Sequence, residues 1–214
     1  MTEKLTETEI RVVGCLIEKQ LTTPEYYPLT LNALVAACNQ KTSREPVVSF
    51  SEETVEKALD SLREKNLAYV FYGSTSRVPK YKHLVPDAFE LQPQEVAVVC
   101  VLMLRGAQTL GELRERTGRL YEFSALGEVA ETLDGLMKRE EPLISRLERQ
   151  PGQKEIRFFH LLSGEVQTEN TSVLPENDKI ETDRLTKLEQ EVESLRGELG
   201  ALEKTFENFK QQFE

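Results

Sequence analysis

The sequence predicts an α+β protein, mainly α-helical, in which one pattern of elements occurs twice and a further helix follows. Three successive segments carry apolar residues at helical spacing, and this group of three occurs twice. Each group is followed by two apolar stretches that flank a turn containing Gly and Pro, which is typical of a β-hairpin. The C-terminal part carries a heptad pattern. In a chain of 214 residues, 39% hydrophobic and 30% charged, these patterns favour small folded domains.

The first copy of the pattern begins at a capping box formed by Thr6 and Glu9. The helix that this box opens places Ile10, Val13 and Ile17 on one apolar face. The other predicted elements are a short helix capped by Thr30, a third helix that starts at Ser51, and strands at 67–72 and 81–85. The first copy therefore comprises three helices and a β-hairpin.

The second copy repeats this order. Pro93 begins its first helix, and Thr109 with Glu112 forms another capping box before a short helix. The other predicted elements are a third helix after Ser124 and strands at 143–149 and 156–162. The pairs His83-Leu84 and His160-Leu161 fall at matching places in the two predicted hairpins. This agreement indicates an internal repeat of one small fold.

Three helices followed by a β-hairpin are typical of a winged-helix domain, and two copies predict tandem winged-helix domains. The predicted organisation is winged-helix domain 1 at 1–90, winged-helix domain 2 at 91–164, a polar linker at 165–178 and an amphipathic coiled-coil helix at 179–214. We expect each winged-helix domain to have its own small hydrophobic core.

The C-terminal helix carries a seam of apolar residues with alternating spacings of three and four. The residues predicted to mediate self-association are Leu188, Val192, Leu195, Leu199, Leu202, Phe206 and Phe209. This seam predicts a homo-oligomer that forms through the C-terminal helix. The charges flanking the seam do not choose between parallel and antiparallel pairing. The alternative is a single amphipathic helix that lies on the body of its own chain.

The acidic charge is concentrated in the C-terminal segment. Residues 165–214 contain 13 acidic and 6 basic side chains, whereas residues 1–164 contain 24 and 21. The overall net charge of −10 therefore says little about what the body binds, because distant charges are screened by salt. With no apolar run long enough to span a bilayer and no signal core after Met1, we expect a cytoplasmic protein without a membrane partner.

No sequence motif indicates catalysis. The chain has neither a phosphate-binding glycine motif nor a zinc-ligand or nucleophile motif. Cys15, Cys38 and Cys100 are widely spaced in apolar stretches, as buried structural cysteines are. We therefore expect neither an enzyme nor a metal or cofactor site.

Several long irregular strings resemble the YceH-like family of uncharacterised bacterial proteins. They are TPEYYPLTLNAL at 23–34, ACNQKTSREP at 37–46, RVPKYKH at 77–83, GELR at 111–114 and LYEF at 120–123. The resemblance covers residues 5–164 and implies tandem winged-helix domains in a cytoplasmic bacterial protein. It implies no activity, since a shared fold does not carry function with it.

Basic residues gather in the loops and hairpins rather than on the third helices. The exposed positions of both third helices are acidic near their N-termini, which argues against reading of the major groove by these helices. The predicted contact residues for nucleic acid or a partner are Lys41, Arg44, Arg77, Lys80, Lys82, Arg114, Arg116 and Arg119. If the first five converge, they make one phosphate-contacting patch, with which Tyr69, Tyr72 and Tyr81 could interleave; the alternative is that they are solvated surface charges and strand residues that cover the hairpin.

The sequence leaves two functions open. One is a nucleic-acid-binding protein, similar to a transcription regulator, that contacts duplex DNA through loops and hairpins. In that case the acidic tail is a candidate for masking the basic clusters. The other is a protein–protein interaction adaptor that uses its winged helices and coiled coil without binding DNA, which the acidic third helices and tail favour.

Overall fold

The computed structural model describes residues 4–72, 78–147 and 155–164. These residues form an α+β fold with seven α-helices and six short strands. The predicted linker at 165–178, the coiled-coil helix at 179–214 and its self-association residues lie outside the described residues.

The first repeat contains three helices and three strands. They are α1 (Glu7–Thr22), β1 (Leu29–Thr30), α2 (Leu31–Cys38), α3 (Glu52–Glu64), β2 (Ala68–Phe71) and β3 (Lys80–His83), with a 3-10 turn at Pro24–Tyr26. The short helix α4 (Val85–Ala88) leads to the second repeat.

The second repeat has the same order of elements. They are α5 (Pro93–Arg105), β4 (Gln108–Thr109), α6 (Leu110–Thr117), α7 (Leu126–Met137), β5 (Ile144–Leu147) and β6 (Arg157–His160). The predicted internal repeat is therefore confirmed within the described residues.

Local capping explains where most of the helices begin. In α1, the Thr6 hydroxyl accepts from the Glu9 amide at 3.2 Å, and the Glu9 carboxylate accepts from the Thr6 amide at 2.6 Å. The predicted caps at Thr30 and Ser51 are also present, as is the second capping box at Thr109. The start of α7 differs, because Ala125 is the capping residue. The Ser124 hydroxyl instead donates a hydrogen bond to the carboxylate of Glu128, in the first turn of the helix.

Both sheets are antiparallel and have the same strand order, with the third strand of the repeat in the centre. The orders are β1–β3–β2 and β4–β6–β5. The two-residue strands β1 and β4 extend the predicted hairpins into three-stranded sheets. In the hairpins, Ala68 pairs with His83 and Ile144 pairs with His160, so the two registers correspond. The equivalent histidines confirm the predicted alignment of the repeats.

The two repeats share one hydrophobic core, which corrects the expectation of two separate cores. The first helices of the repeats, α1 and α5, pack against each other at its centre. Gly14 permits this close approach, since a Cβ atom there would lie 3.0 Å from Leu104 Cδ2 and 3.2 Å from Met103 Cβ. The Cys100 thiol donates to the Gly14 carbonyl at 3.5 Å across the same contact.

The two equivalent histidines are buried on the inner faces of their sheets. His83 is 8% exposed and His160 is 4% exposed. Neither ring nitrogen of His83, nor Nδ1 of His160, has a hydrogen-bond partner among the described residues. Burial disfavours the charged imidazolium and lowers the pKa of each histidine to about 4.

The buried histidines predict that the protein loses stability as the pH falls from about 6.5 towards 4. Their pKa values are lower in the folded chain than in the unfolded chain, so the unfolded state takes up protons first. At about pH 5 the loss is roughly 2 kcal/mol for each histidine, relative to neutral pH. Urea unfolding at several pH values measures it.

A His83→Phe/His160→Phe double variant tests the assignment, because the chain contains only 2 histidines. Its free energy of unfolding should change much less between neutral pH and about pH 5 than that of the wild type. A double variant with the full wild-type decline would show that other groups are responsible.

Candidate functional site

The predicted contact residues occupy different environments. Lys41, Arg114 and Arg119 are exposed, Lys80, Lys82 and Arg116 are half-buried, Arg44 is buried, and Arg77 lies outside the described residues. The exposed Arg114 donates to the Ser124 carbonyl at 3.3 Å. Arg116 donates to Gln108 and lies 3.3 Å from the Glu112 carboxylate. Lys80 and Lys82 thus lie on strand β3, Arg44 lies in the protein interior, and Arg116 and Arg119 line a cleft between the repeats, whereas Lys41 and Arg114 belong to none of these.

Arg44 is a structural residue rather than a surface contact, which corrects the sequence prediction. Its side chain is fully buried, and two of its nitrogens donate to the Glu18 carboxylate at 2.6 and 2.9 Å. It also donates to the carbonyls of Ala37 and Ser43 and to the Gln40 side chain. This network anchors the loop after α2 to α1. The guanidinium is not available to a phosphate in this arrangement.

The ionisation of the Arg44–Glu18 pair follows from this network. Burial opposes charge on both groups, but their mutual hydrogen bonds outweigh it. They raise the pKa of Arg44 and lower the pKa of Glu18. Both groups are therefore charged at neutral pH. Arg44 is neutralised by Glu18, whereas Glu18 also has the Lys19 ammonium at 3.5 Å.

The outer face of the first sheet combines aromatic rings with lysines. On this face Tyr69 pairs with Lys82 and Phe71 pairs with Lys80 across β2 and β3. Tyr69 and Phe71 are 37% and 38% exposed, and the following Tyr72 is 70% exposed. The Lys82 ammonium lies 4.9 Å from the centre of the Phe71 ring. We refer to Tyr69, Phe71, Lys80 and Lys82 as the aromatic–lysine face; Tyr72 lies beyond the end of β2 and is not part of it.

Tyr81 does not belong to this face. It alternates with Lys80 and Lys82 along β3, so its side chain faces the core, where it is 8% exposed. The expected interleaving of tyrosines with basic residues therefore holds for the side of the sheet that carries Tyr69, and is wrong for Tyr81.

A second candidate site is a cleft of about 300 Å³ where the two repeats meet. We call it the arginine cleft. It is lined by Glu18, Lys19, Thr22 and Thr23 of the first helix and its end, Gln40, Thr42 and Ser43 of the loop after α2, Cys100, Val101, Leu104 and Arg105 of α5, and Arg116, Arg119 and Leu120 at the end of α6. Its lining contains four cationic side chains and one carboxylate.

The cations of the arginine cleft are incompletely neutralised. Its one carboxylate, Glu18, is bound by the buried Arg44. Among the described residues, no carboxylate lies within 4 Å of Arg105 or Arg119. Arg105 instead donates a hydrogen bond to the neutral Ser43 hydroxyl at 2.7 Å. Burial, and then the positive charge of Arg116, lower the pKa of Arg105. The cleft is therefore a site of positive potential.

Helix α3 presents an acidic surface, as the sequence predicted. On α7, only Glu131 of the three predicted acidic residues is exposed, whereas Glu128 and Asp134 are half-buried and engaged with neighbouring side chains. On α3, the exposed Lys57 and Arg63 are paired with Glu53 and Asp60 at 2.7 and 2.9 Å. Their charges are thus locally balanced, and the remaining acidic residues at the start of the helix are exposed. The surface of α3 does not favour contact with phosphate groups.

Sequence reasoning missed Lys19 and Arg105 as members of the cleft. Both lie in the last turn of the first helix of their repeat, at equivalent positions once Glu9 is aligned with Glu95 in the two capping boxes. The repeat alignment was therefore the signal for them. Lys19 and Arg105 are far apart in sequence, and they meet only because α1 packs against α5. A search for basic residues that are neighbours in sequence therefore does not find this pair.

Other site types find no support among the described residues. No group of three or more His, Cys, Asp or Glu side chains within 4–72, 78–147 and 155–164 is arranged to hold a metal ion. No helix in these ranges has the length and apolarity needed to cross a membrane. Cys15, Cys38 and Cys100 are buried free thiols.

The fold and these surfaces define a duplicated α+β protein with a cationic cleft at the junction of its repeats. Sequence comparisons add the family: residues 5–153 match the family described as "Protein of unknown function, DUF480". The chain belongs to this family, and the expected membership of an uncharacterised bacterial family is confirmed.

The relatives are bacterial proteins of similar length. A UPF0502 protein of Opitutus terrae is 54% identical over 193 residues, which cover 90% of this chain and 83% of the relative. A UPF0502 protein of Pelobacter propionicus is 50% identical over 216 residues, and one of Geobacter sulfurreducens is 47% identical over the same length. Both alignments cover 98% of this chain and 98% of the relative.

The Arg44–Glu18 pair predicts a large stability loss when one partner is removed. Arg44→Ala leaves the largely buried Glu18 carboxylate with only the Lys19 ammonium, 3.5 Å away, as a cationic partner, and should lower the free energy of unfolding by about 3 kcal/mol. Lys41→Ala, in the same loop but exposed, should change it by less than about 0.5 kcal/mol. Urea denaturation at neutral pH measures both. Equal stabilities for the two variants would contradict the structural role of Arg44.

Proposed function

We propose that this protein binds nucleic acid, in the manner of a transcription regulator, through the aromatic–lysine face of its first sheet. The observation that carries the proposal is the pairing of exposed aromatic rings with two lysines on one side of β2 and β3. In this proposal the two repeats are tandem winged-helix domains, and the β2–β3 hairpin is the wing of the first. The order of helices and strands in each repeat supports this assignment.

The chemistry of the aromatic–lysine face suits a phosphate backbone. Lysine ammonium groups neutralise phosphates, and this contact supplies most of the affinity of sequence-independent binding. The rings of Tyr69 and Phe71 offer flat surfaces against sugars or unpaired bases. Arg77 lies between Phe71 and Lys80 in the sequence and stays a predicted contact, since it is outside the described residues.

The proposal assigns no base reading to α3 or α7. Their exposed acidic residues would meet phosphates of like charge, and the basic residues of α3 are engaged in local ion pairs. Binding through the wing predicts weak sequence preference and strong dependence on salt.

The cytoplasmic location and dimerisation through the heptads at 179–214 belong to the same proposal, and neither is needed for the wing to contact DNA.

The second candidate is a protein–protein interaction adaptor. It is favoured by the acidic surface of α3 and by a groove of about 480 Å³ in the second repeat. Its apolar lining includes Leu110, Leu126, Ala130, Ile156 and Phe158. Leu126 is 43% exposed and Ile156 is 36% exposed, so two aliphatic side chains of the groove contact solvent. Recovery of one stoichiometric protein partner after cross-linking in cells, with no duplex binding in vitro, would favour this function.

The nucleic-acid proposal predicts that Lys80→Glu/Lys82→Glu weakens binding of a random-sequence duplex by roughly tenfold or more at low salt. Loss of two phosphate contacts should also reduce the slope of log K against log salt concentration by about 1.8. Fluorescence anisotropy of a labelled duplex with the full-length chain measures both quantities.

The matched control is Lys57→Glu/Arg63→Glu, which makes the same charge change on α3. It should bind much more tightly than the Lys80→Glu/Lys82→Glu variant, because α3 does not contact the duplex. Equal weakening by the two double variants would indicate a general charge effect and contradict the assigned face. Absence of binding by the wild type at about 50 mM salt would contradict nucleic-acid binding itself.

A further inference from the structure

The arginine cleft is a second basic site, distinct from the aromatic–lysine face. It is built from both repeats, since Lys19 belongs to α1 and Arg105, Arg116 and Arg119 belong to α5 and the end of α6. Two of its cations, Arg105 and Arg119, have no carboxylate within 4 Å among the described residues. Positive charge is therefore concentrated where the fold itself does not neutralise it.

The shape of the cleft selects a small ligand. Its floor contains Cys100, Val101 and Leu104 of α5, each 4% exposed or less. Cationic and hydroxyl side chains surround this apolar floor. A volume of about 300 Å³ falls at the lower end of the range for small-molecule sites, about 300–1,000 Å³. A recess of this size does not admit a nucleic-acid duplex, whose grooves alone are about 6–12 Å wide.

The charge of the cleft selects a polyanion. Arg105 and Arg116 line the same cleft, and the charge of Arg116 adds to burial in lowering the pKa of Arg105, so an anion between them would offset this repulsion. Arginine presents a planar fork of donors that matches phosphate oxygens. A phosphate monoester carries nearly two negative charges and three acceptor oxygens. It therefore matches several converging cations better than a ligand with a single carboxylate group, which carries one negative charge.

We propose that the arginine cleft binds a small phosphate-bearing metabolite, of the size of a sugar phosphate. Arg119, which is exposed and has no partner among the described residues, donates to the phosphate from the rim of the cleft, and Arg105 and Arg116 hold it from within. Lys19 of α1 lines the same cleft and contacts the ligand from the first repeat, so binding stabilises the junction between the repeats. This site is separate from the aromatic–lysine face and does not depend on nucleic-acid binding.

The test uses the full-length chain and inorganic pyrophosphate as the probe. Isothermal titration calorimetry at constant ionic strength, in a buffer without phosphate, should show saturable binding at one site. Arg119→Gln should weaken binding by roughly tenfold. The matched control is Arg63→Gln, because Arg63 is also exposed but lies on α3, paired with Asp60 at 2.9 Å. It should leave the affinity for pyrophosphate unchanged.

Citrate, a carboxylate polyanion, serves as the comparison ligand under the same conditions. Weaker binding of citrate than of pyrophosphate supports the choice of phosphate, and equal binding overturns it. Equal weakening by Arg119→Gln and Arg63→Gln would mean that pyrophosphate responds only to net charge, which would overturn the site. An absence of saturable binding by the wild type would also overturn it. None of these readouts involves nucleic acid, so they are independent of the proposed function.

Discussion

The packing of α1 against α5 is the contact on which the rest of the structure depends. Each repeat surrounds its first helix with two further helices and a small sheet, and the two first helices meet at Gly14. The absence of a side chain there lets the Leu104 and Met103 side chains approach the α1 backbone. One continuous core results, and it buries hydrophobic residues of both repeats.

This packing also creates the cationic site. Lys19 and Arg105 occupy equivalent turns of α1 and α5, and the contact of these helices brings their C-terminal ends to the same cleft. The Arg44–Glu18 pair fixes the loop that forms another wall of the cleft. The cationic groups thus have two different roles. Arg44 holds a loop of the first repeat against α1 from within the protein, and the cations that line the cleft leave positive charge at its surface.

Local patterns in the sequence predicted the helices well, because capping boxes and apolar periodicity are properties of neighbouring residues. The two-residue strands β1 and β4 were not predicted, since they form only by pairing with distant β3 and β6. The expectation that Arg44 lies at the surface fails for the same reason, because its structural role depends on Glu18, which is distant in sequence on helix α1. The aromatic–lysine face was partly predictable from the alternation of residues in a strand, which also explains why Tyr81 faces the core.

The most direct test of the shared core is native-state hydrogen exchange of the full-length chain, resolved by peptide or residue. A single core predicts that the most protected amides of α3 and α7, one helix from each repeat, open with the same free energy. A Gly14→Val substitution, which overpacks the α1–α5 contact, should lower both free energies together. Independent opening, with α7 retaining its protection while α3 loses it, would show that the repeats have separate cores and would contradict this account.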